Sequence, residues 1–346
     1  MSVRVGILGA TGAVGQRFVQ LLDDNDQFQI DCVTASSASA GHSYADAAKW
    51  RLGTEIPDDV AELTVRETDP AAIPDDIDLL FSSLPSGVAA EVEPDLCRAG
   101  YVVSSNSSND RLAEDVPLTI PEINPDHLGL IEVQRDRRGW DGALVKNPNC
   151  STITMVPTLA ALTEFGLESA QISTLQAVSG AGYSGVTSME IIDNAIPHIG
   201  GEEEKMETES RKLLGEFDGS GVERLDAEVT ASCNRIPTID GHLENVFASL
   251  EDDPTAAEIR EAMRSVPSAD LPSSPDPLIH VFGEEEPERP QPRMDRDRGD
   301  GMAIVAGGVT ETPAGVKYNC LAHNTIRGAA GASLLNGELL AEEGYL

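Results

Sequence analysis

Gly9-Ala10-Thr11-Gly12-Ala13-Val14-Gly15 joins an alternating apolar segment, Val3 to Leu8, to a segment with helical spacing, Gln16 to Leu22. A strand that feeds a glycine turn opening into a helix is the first unit of a dinucleotide-binding sheet. The glycines let the backbone approach a pyrophosphate, and the helix N-terminus supplies N–H donors. The spacing is G-x-x-G-x-x-G, one residue longer than the commonest fingerprint. Gly9, Thr11, Gly12, Ala13 and Val14 are the candidate contacts.

The following segments repeat the alternation. Phe28 to Thr34 and Ile77 to Phe81 read as strands, Val88 to Ala99 as a helix, and Tyr101 to Ser104 as a further strand. This βα pattern implies an α/β fold built on a doubly wound, parallel sheet. Ligands of such sheets bind beyond the strand C-termini. Ser83, Pro85, Ser86 and Gly87, which follow one strand, are therefore expected to line the cleft. An NAD site usually places an acid at the end of the second strand to hold the ribose 2′-hydroxyl. Here that end reads Ala35-Ser36-Ser37, and Asp31 lies within the strand instead. Ser36 and Ser37 would tolerate a 2′-phosphate, which favours NADP; the other reading is that they merely make a turn. Arg111, beyond the next strand on the same edge, is an anion clamp or a solvated surface arginine.

Lys146-Asn147-Pro148-Asn149-Cys150-Ser151-Thr152 precedes a buried helical run, Met155 to Leu162. Pro148 disfavours helix before it, and Asn149, Ser151 and Thr152 are capping types. Cys150 is placed at a helix N-terminus, where amide groups and the dipole lower a thiol pKa. A buried, inert thiol is the alternative. Pro157 argues for a kink. The five cysteines are an odd number without a Cys-x-x-Cys pair, so the chain is expected in a reducing cytoplasm with neither disulfides nor zinc.

Past Cys150 the alternation ends. Gln171 to Val178 reads as a strand before the turn Ser179-Gly180-Ala181-Gly182, Ser184 to Ile196 as a helix, and Glu202 to Leu214 as another. Glu202 and Lys205 share a helical face, as a surface ion pair or a site pair. Arg235 and His242 flank Ile236-Pro237-Thr238-Ile239-Asp240-Gly241 after a strand, Ala227 to Asn234. In one regular strand they would face opposite sides, so a shared site requires a turn at Pro237 or Asp240-Gly241. Further elements are a helix from Thr255 to Met263, a long connection from Pro267 to Pro292, strands near Ala303 to Val309 and Gly315 to Ala322, and a terminal helix from His323 to about Leu340.

These segments together resemble the aspartate-β-semialdehyde dehydrogenase family over nearly the whole chain. The resemblance rests on Gly9 to Gly15, Asn147 to Thr152, Gln176 before Ser179 to Gly182, Gly201-Glu202 to Lys205, Arg235 to His242, and His323 to Gly328. Arg289-Pro290-Gln291-Pro292-Arg293 is similar to the archaeal and fungal branch. The resemblance implies a Rossmann-type NADP domain over residues 1–149 and an α+β catalytic and dimerisation domain over 150–322. A C-terminal helix over 323–346 would return to the first domain. It implies NADPH-dependent, reversible reductive dephosphorylation of L-4-aspartyl phosphate to L-aspartate 4-semialdehyde, in biosynthesis of the aspartate-family amino acids. Cys150 is then the nucleophile, His242 the acid/base and Gln176 the residue orienting the acyl group. Arg235 would grip the substrate carboxylate and Glu202 its amino group, with Lys205 and Arg111 on the phosphate. Gly180 joins the cofactor contacts, and Asn324 looks like a nicotinamide-side contact. The rivals are another cysteine-dependent acyl reductase, acting on N-acetyl-glutamyl phosphate or an acyl-CoA, and a non-catalytic dinucleotide sensor.

The charge balance limits the partners. Against 59 Asp and Glu stand 24 Lys and Arg, a net charge of −35 that repels nucleic acid and anionic membranes. No apolar run is long enough to span a bilayer, and the N-terminus lacks a signal-peptide core. Only five of the basic residues are lysines. The expectation is a cytoplasmic protein of a halophile, a homodimer or homotetramer binding a small substrate and phosphate, with salt screening its self-repulsion.

Overall fold

The computed structural model describes residues 2–23 and 25–346. Its first sheet contains β1 (Val3–Leu8), β2 (Phe28–Ala35), β3 (Arg66–Glu67), β4 (Leu79–Ser82), β5 (Val102–Ser105) and β6 (Ala143–Lys146). All pair in parallel, in the order β3-β2-β1-β4-β5-β6. The order reverses beside β1, so a crevice opens at the C-terminal ends of β1 and β4, where such sheets bind ligands. Four positions of β4 and four of β6 are buried throughout, as expected of strands covered on both faces.

The second sheet is mixed. It contains β7 (Leu167–Gln176), β8 (Ile196–Pro197), β11 (Glu228–Arg235), β12 (His242–Leu250), β13 (Ile279–Val281), β14 (Ile304–Thr312) and β15 (Gly315–Ala322). Between them, β9 (Glu216–Phe217) and β10 (Val222–Glu223) form a separate ribbon. The order is β13-β14-β15-β12-β7-β11-β8. One face packs Ala170, Ile172, Val246, Ala248, Val316 and Tyr318 against the helix Cys150–Ala160 and its neighbours. The opposite face shows Ser169, Gln171 and Ser173 on β7, Asn245, Phe247 and Ser249 on β12, and Lys317 and Asn319 on β15. Paired registers place these eight side chains side by side, and none is a carboxylate. Phe247 is 52% exposed there.

The last helix, Gly331–Glu342, belongs to the core of the first sheet. Leu334, Leu339 and Leu340 pack with Val5, Leu79 and Phe81, and the hydroxyls of Ser333 and Ser104 lie 2.7 Å apart. Glu122 and Arg327 lock this return. Their side chains are fully buried, joined by two parallel hydrogen bonds of 2.7 and 3.0 Å. Among the described residues no helix is long and apolar enough to cross a membrane.

Three sequence expectations change. The helix expected from Ser184 to Ile196 shrinks to Ser188–Ile191, and Ile196-Pro197 instead pairs on the edge of β11. Met189 is 89% exposed, so the apolar periodicity there has no core to face. The terminal helix opens with a π-helical turn, Ile326–Ala330, and becomes α-helical only at Gly331. The helix after Cys150 runs on through Pro157 rather than waiting for Met155. Removing one partner of a buried pair strands the other charge. Arg327→Met should therefore cost about 3–5 kcal/mol, and Glu122→Met with Arg327→Met should recover much of it. Denaturant midpoints of the three proteins check this; an additive double variant would contradict it.

Candidate active site

β6 delivers the chain to Asn147-Pro148-Asn149, and Cys150 is the first residue of the buried helix Cys150–Ala160. Asn149 caps that helix, its Oδ1 accepting from the N–H groups of Ser151 and Thr152 at 2.9 and 3.3 Å. Its Nδ2 donates to Glu202 at 2.8 Å and its backbone N–H to Glu209 at 2.7 Å. Gly328 closes the other side: a Cβ there would stand 2.7 Å from Cys150 Cβ, too close for any side chain.

The second sheet brings three strand ends to the sulfur. β7 ends at Gln176, with Arg235 as its partner on β11, and Leu243 pairs with Leu175 on the other side, which sets His242 beside Gln176. The 236–241 loop crosses over the end of β7, bonded through Val178 N–H to Thr238 O and Ser179 N–H to Ile239 O. Arg235 and His242 thus sit on different strands and face the same place. Cys150 Sγ lies 3.3 Å from His242 Nε2. The Ala177 N–H donates to His242 Nδ1 at 3.1 Å, so the neutral ring carries its proton on Nε2, toward the sulfur. Arg235 Nη1 donates to Ala177 O at 2.7 Å. Among the described residues, no group bonds the buried Gln176 Nε2.

Electrostatics correct one expectation. Burial pushes the Cys150 thiol up to about 12, and Glu202 adds to the rise, while Arg235 and Arg111 oppose it. A place at the helix N-terminus does not leave a lowered pKa here, where loss of solvent is the largest influence on the thiol. Burial likewise pushes His242 down to about 3, with the Arg235 and His323 charges adding to the fall and the Gly241 carbonyl opposing it. The pair is therefore a thiol beside a neutral imidazole.

The helix Glu202–Leu213 forms a further wall of the site. Glu202 is held between Asn149 and Lys205, whose Nζ lies 2.8 Å away. Arg111 is 6% exposed rather than a solvated surface arginine. Its Nη1 donates to Glu209 at 2.9 Å and its Nη2 to Asn106 O at 2.6 Å.

A cleft of about 360 Å³ joins these groups to the first sheet. Its lining includes Ala13, Val14, Ser86, Arg111, Cys150, Gln176, Gly180, Glu202, Lys205, Arg235 and Asn324, all expected from the sequence. His242 stands behind the sulfur, fully buried. Gly9, Thr11 and Gly12 form the turn before the helix Ala13–Leu22, and Gly12 caps that helix without a side-chain bond, which leaves its first N–H groups unobstructed. A Cβ on Gly15 would lie 2.3 Å from Gly9 O, so the turn packs against the helix only with glycine there.

Other expected contacts are engaged elsewhere or sit apart. Ser83 Oγ bonds the carbonyls of Leu8 and Gly9, bracing the glycine turn. Ser36 and Ser37 are exposed at the end of β2, away from the sulfur, and Gly87 is exposed in the first turn of the helix Ser86–Arg98. Asn324 accepts the Gly241 N–H and donates to Ser179 Oγ, both at 2.8 Å, so it ties two loops of the site together. Sequence reading missed Glu209, Gly328 and Tyr183. Glu209 follows Glu202 by two helical turns, a spacing that was available as a signal. Tyr183, whose hydroxyl reaches Gln16 Oε1 at 2.8 Å across the cleft, had none.

Comparisons with known proteins agree with this geometry. The model of the semialdehyde dehydrogenase NAD-binding domain matches residues 4–131, and that of the semialdehyde dehydrogenase dimerisation domain residues 159–327. Aspartate-semialdehyde dehydrogenase of Archaeoglobus fulgidus is 49% identical, over 99% of both chains. That of Methanothermobacter thermautotrophicus is 51% identical, over 98% of this chain and 99% of its own. The crystal structure of the Candida albicans aspartate semialdehyde dehydrogenase with NADP matches 100% of both chains, at a TM-score of 0.90 and 36% identity. Identity of that order along the full length, on one fold, means that this chain belongs to the aspartate-semialdehyde dehydrogenase family.

Proposed function

We propose that the protein catalyses the reversible, NADP-dependent reductive dephosphorylation of L-4-aspartyl phosphate to L-aspartate 4-semialdehyde. The observation that carries this reading is Cys150 at the head of a buried helix, 3.3 Å from His242 Nε2. Cys150 attacks the acyl carbon, the carbon–oxygen bond to phosphate breaks, and a thioester forms. The proton lost by the thiol departs on the phosphate, so this half of the reaction is proton-neutral: the Nε2 proton of His242 goes to the departing phosphate as the thiol proton replaces it. The ring proton on Nε2 also faces the charge that develops on the acyl oxygen. Gln176 Nε2, a buried donor, orients that oxygen. NADPH, when bound, supplies the hydride that reduces the acyl group. The resulting alkoxide collapses to the aldehyde, the carbon–sulfur bond breaks, and a proton taken from solvent through His242 restores the Cys150 thiol.

At the far end of the substrate, Arg235 takes the α-carboxylate and Glu202 the ammonium group, while Lys205 and Arg111 take the phosphate. Glu202 favours a free amino acid over an N-acetylated one, which brings no cation to it. The glycine turn Gly9 to Val14, with Ser86, Gly87 and Gly180 nearby, holds the cofactor's phosphates and nicotinamide half. Ser36 and Ser37 hold the 2′-phosphate, since Asp31 is drawn into an ion pair with Arg4. We divide the chain into a cofactor unit over 1–149, a catalytic unit over 150–322 and a returning segment over 323–346.

The protein is a homo-oligomer. We infer that two copies meet through the carboxylate-free patch of β7, β12 and β15 on the second sheet, which carries Lys317 and borders Glu228 of β11. In a chain of net charge −35, a contiguous surface without carboxylates is where two copies approach at the lowest electrostatic cost. We further propose that the protein works in a salt-rich cytoplasm, where screening offsets its self-repulsion.

Four outcomes are expected. Before substrate is added, Cys150 alkylation by iodoacetamide should climb roughly tenfold per pH unit from about pH 7 to about pH 9 without a plateau, because only the thiolate reacts. A plateau below about pH 8 would show a depressed thiol pKa; full turnover by Cys150→Ala would remove the covalent mechanism, and faster wild-type turnover of N-acetyl-glutamyl phosphate or an acyl-CoA than of aspartyl phosphate would favour a rival substrate. Ser37→Asp should lower the kcat/KM preference for NADP over NAD by about tenfold or more, through repulsion of the 2′-phosphate. Thermal melts and light scattering from about 0.1 M to about 3 M KCl should show a rising Tm and a dimer lost at low salt. Phe247→Glu should give monomers at every salt concentration; a flat Tm with constant mass contradicts both readings.

A further inference from the structure

We propose that Glu209 is a positioning residue that holds the anion-binding arginine and the nucleophile's backbone as one unit. Its carboxylate is 1% exposed and touches neither side of the cleft's open space. One oxygen accepts the backbone N–H of Asn149, the residue immediately before Cys150, at 2.7 Å. The other accepts Arg111 Nη1 at 2.9 Å. The two partners come from different parts of the chain, and among the described residues no other carboxylate joins them.

The same helix reinforces the hold from both ends. Glu202, two turns earlier, grips the Asn149 side chain at 2.8 Å. Lys212, one turn later, donates to the carbonyls of Arg111, Ala113 and Val116 at 2.9, 2.8 and 2.6 Å. A rigid helix therefore spans the loop carrying Arg111 and the turn carrying Cys150. Arg111 is left with Nη1 and Nη2 anchored, the latter on Asn106 O. Arg111 lines the cleft, and the second N–H of each terminal nitrogen is the edge left for an anion, since Nε is itself buried and bonded to no described group. A guanidinium fixed on two sides presents that edge in one orientation, which lowers the ordering cost of binding phosphate. The distance from the phosphate to the sulfur is then set by a single carboxylate, through hydrogen bonds that a buried ion strengthens.

A glutamine at this position keeps the size but turns one of the two oxygens into an N–H donor. That donor must face either the Asn149 N–H or Arg111, so one contact is lost. Aspartate keeps the charge and both acceptors on a shorter stem. The proposal rests on the reading of Arg111 as the phosphate ligand, and the two readouts separate the failures. With aspartate semialdehyde, phosphate and NADP⁺, Glu209→Gln should raise the KM for phosphate and lower kcat, each by about tenfold or more, with the KM for NADP⁺ unchanged. Glu209→Asp should recover part of both. Without substrate, Glu209→Gln should also slow Cys150 alkylation by about threefold or more, because displaced Arg111 no longer favours the thiolate.

A phosphate KM and an alkylation rate both at wild-type values in a folded Glu209→Gln protein overturn the proposal. So does a loss of kcat that only follows the unfolded fraction, with every KM unchanged. If the wild type turns over without phosphate, the reading of Arg111 fails instead. The alkylation rate then still decides whether Glu209 holds the nucleophile's turn.

Discussion

Asn149 is the point on which the rest of the site hangs. Its side-chain oxygen caps the helix behind the nucleophile, its amide group meets Glu202, and its backbone N–H meets Glu209. Every polar group of that residue toward the site is thus assigned to a different neighbour. The cap sets where Cys150 begins its helix, and the two glutamates set where that helix stands relative to the anion side. The strand ends of the second sheet are then built up to the sulfur, not the reverse. A side chain in a helical first turn has few rotamers free of its own backbone, so fixing the turn fixes the sulfur.

The interior handles charge quite differently from the surface. Lys146 and Glu93 form an ion pair with both side chains fully buried, ringed by the hydroxyls of Ser105 and Ser107. Lys212 is 3% exposed and met by three carbonyls, and Arg111 and Arg327 each have a buried glutamate. Two of the five lysines therefore lie inside. Scarce cations sit where a missing partner would be most destabilising, and the outer surface is left to the acids. The strongly negative charge is largely an external property, laid over an interior in which Lys146, Arg111 and Arg327 are each paired with a carboxylate.

The first sheet was largely legible because its strands carry local signals: alternation, glycine at the turn, and helices of the right length between them. Cys150, Arg235 and Glu202 stand beside a turn or cap that announces itself, whereas Gln176, like the roles of Arg235 and Glu202, entered only through the family resemblance. What was not legible depends on contacts between distant segments. The strand Ala143–Lys146 hides in four buried residues, one of them a lysine, so its polarity disguises it. The segment from Ser184 to Ile196 has helical spacing but no partner surface, and the edge of β11 captured its end instead. The thiol was misjudged for a related reason. A helix dipole can be read from sequence, whereas the burial of the thiol, with Gly328 pressed against Cys150, requires knowing who the neighbours are.

Gly328 makes shielding of the nucleophile depend on a segment remote from it in sequence. The wall over Cys150 belongs to the π-helical turn Ile326–Ala330, which Arg327 fastens to Glu122. Loosening that turn would uncover the sulfur without touching the helix that carries it. The thiol's resistance to oxidants is thus lent by a clasp between two other parts of the chain.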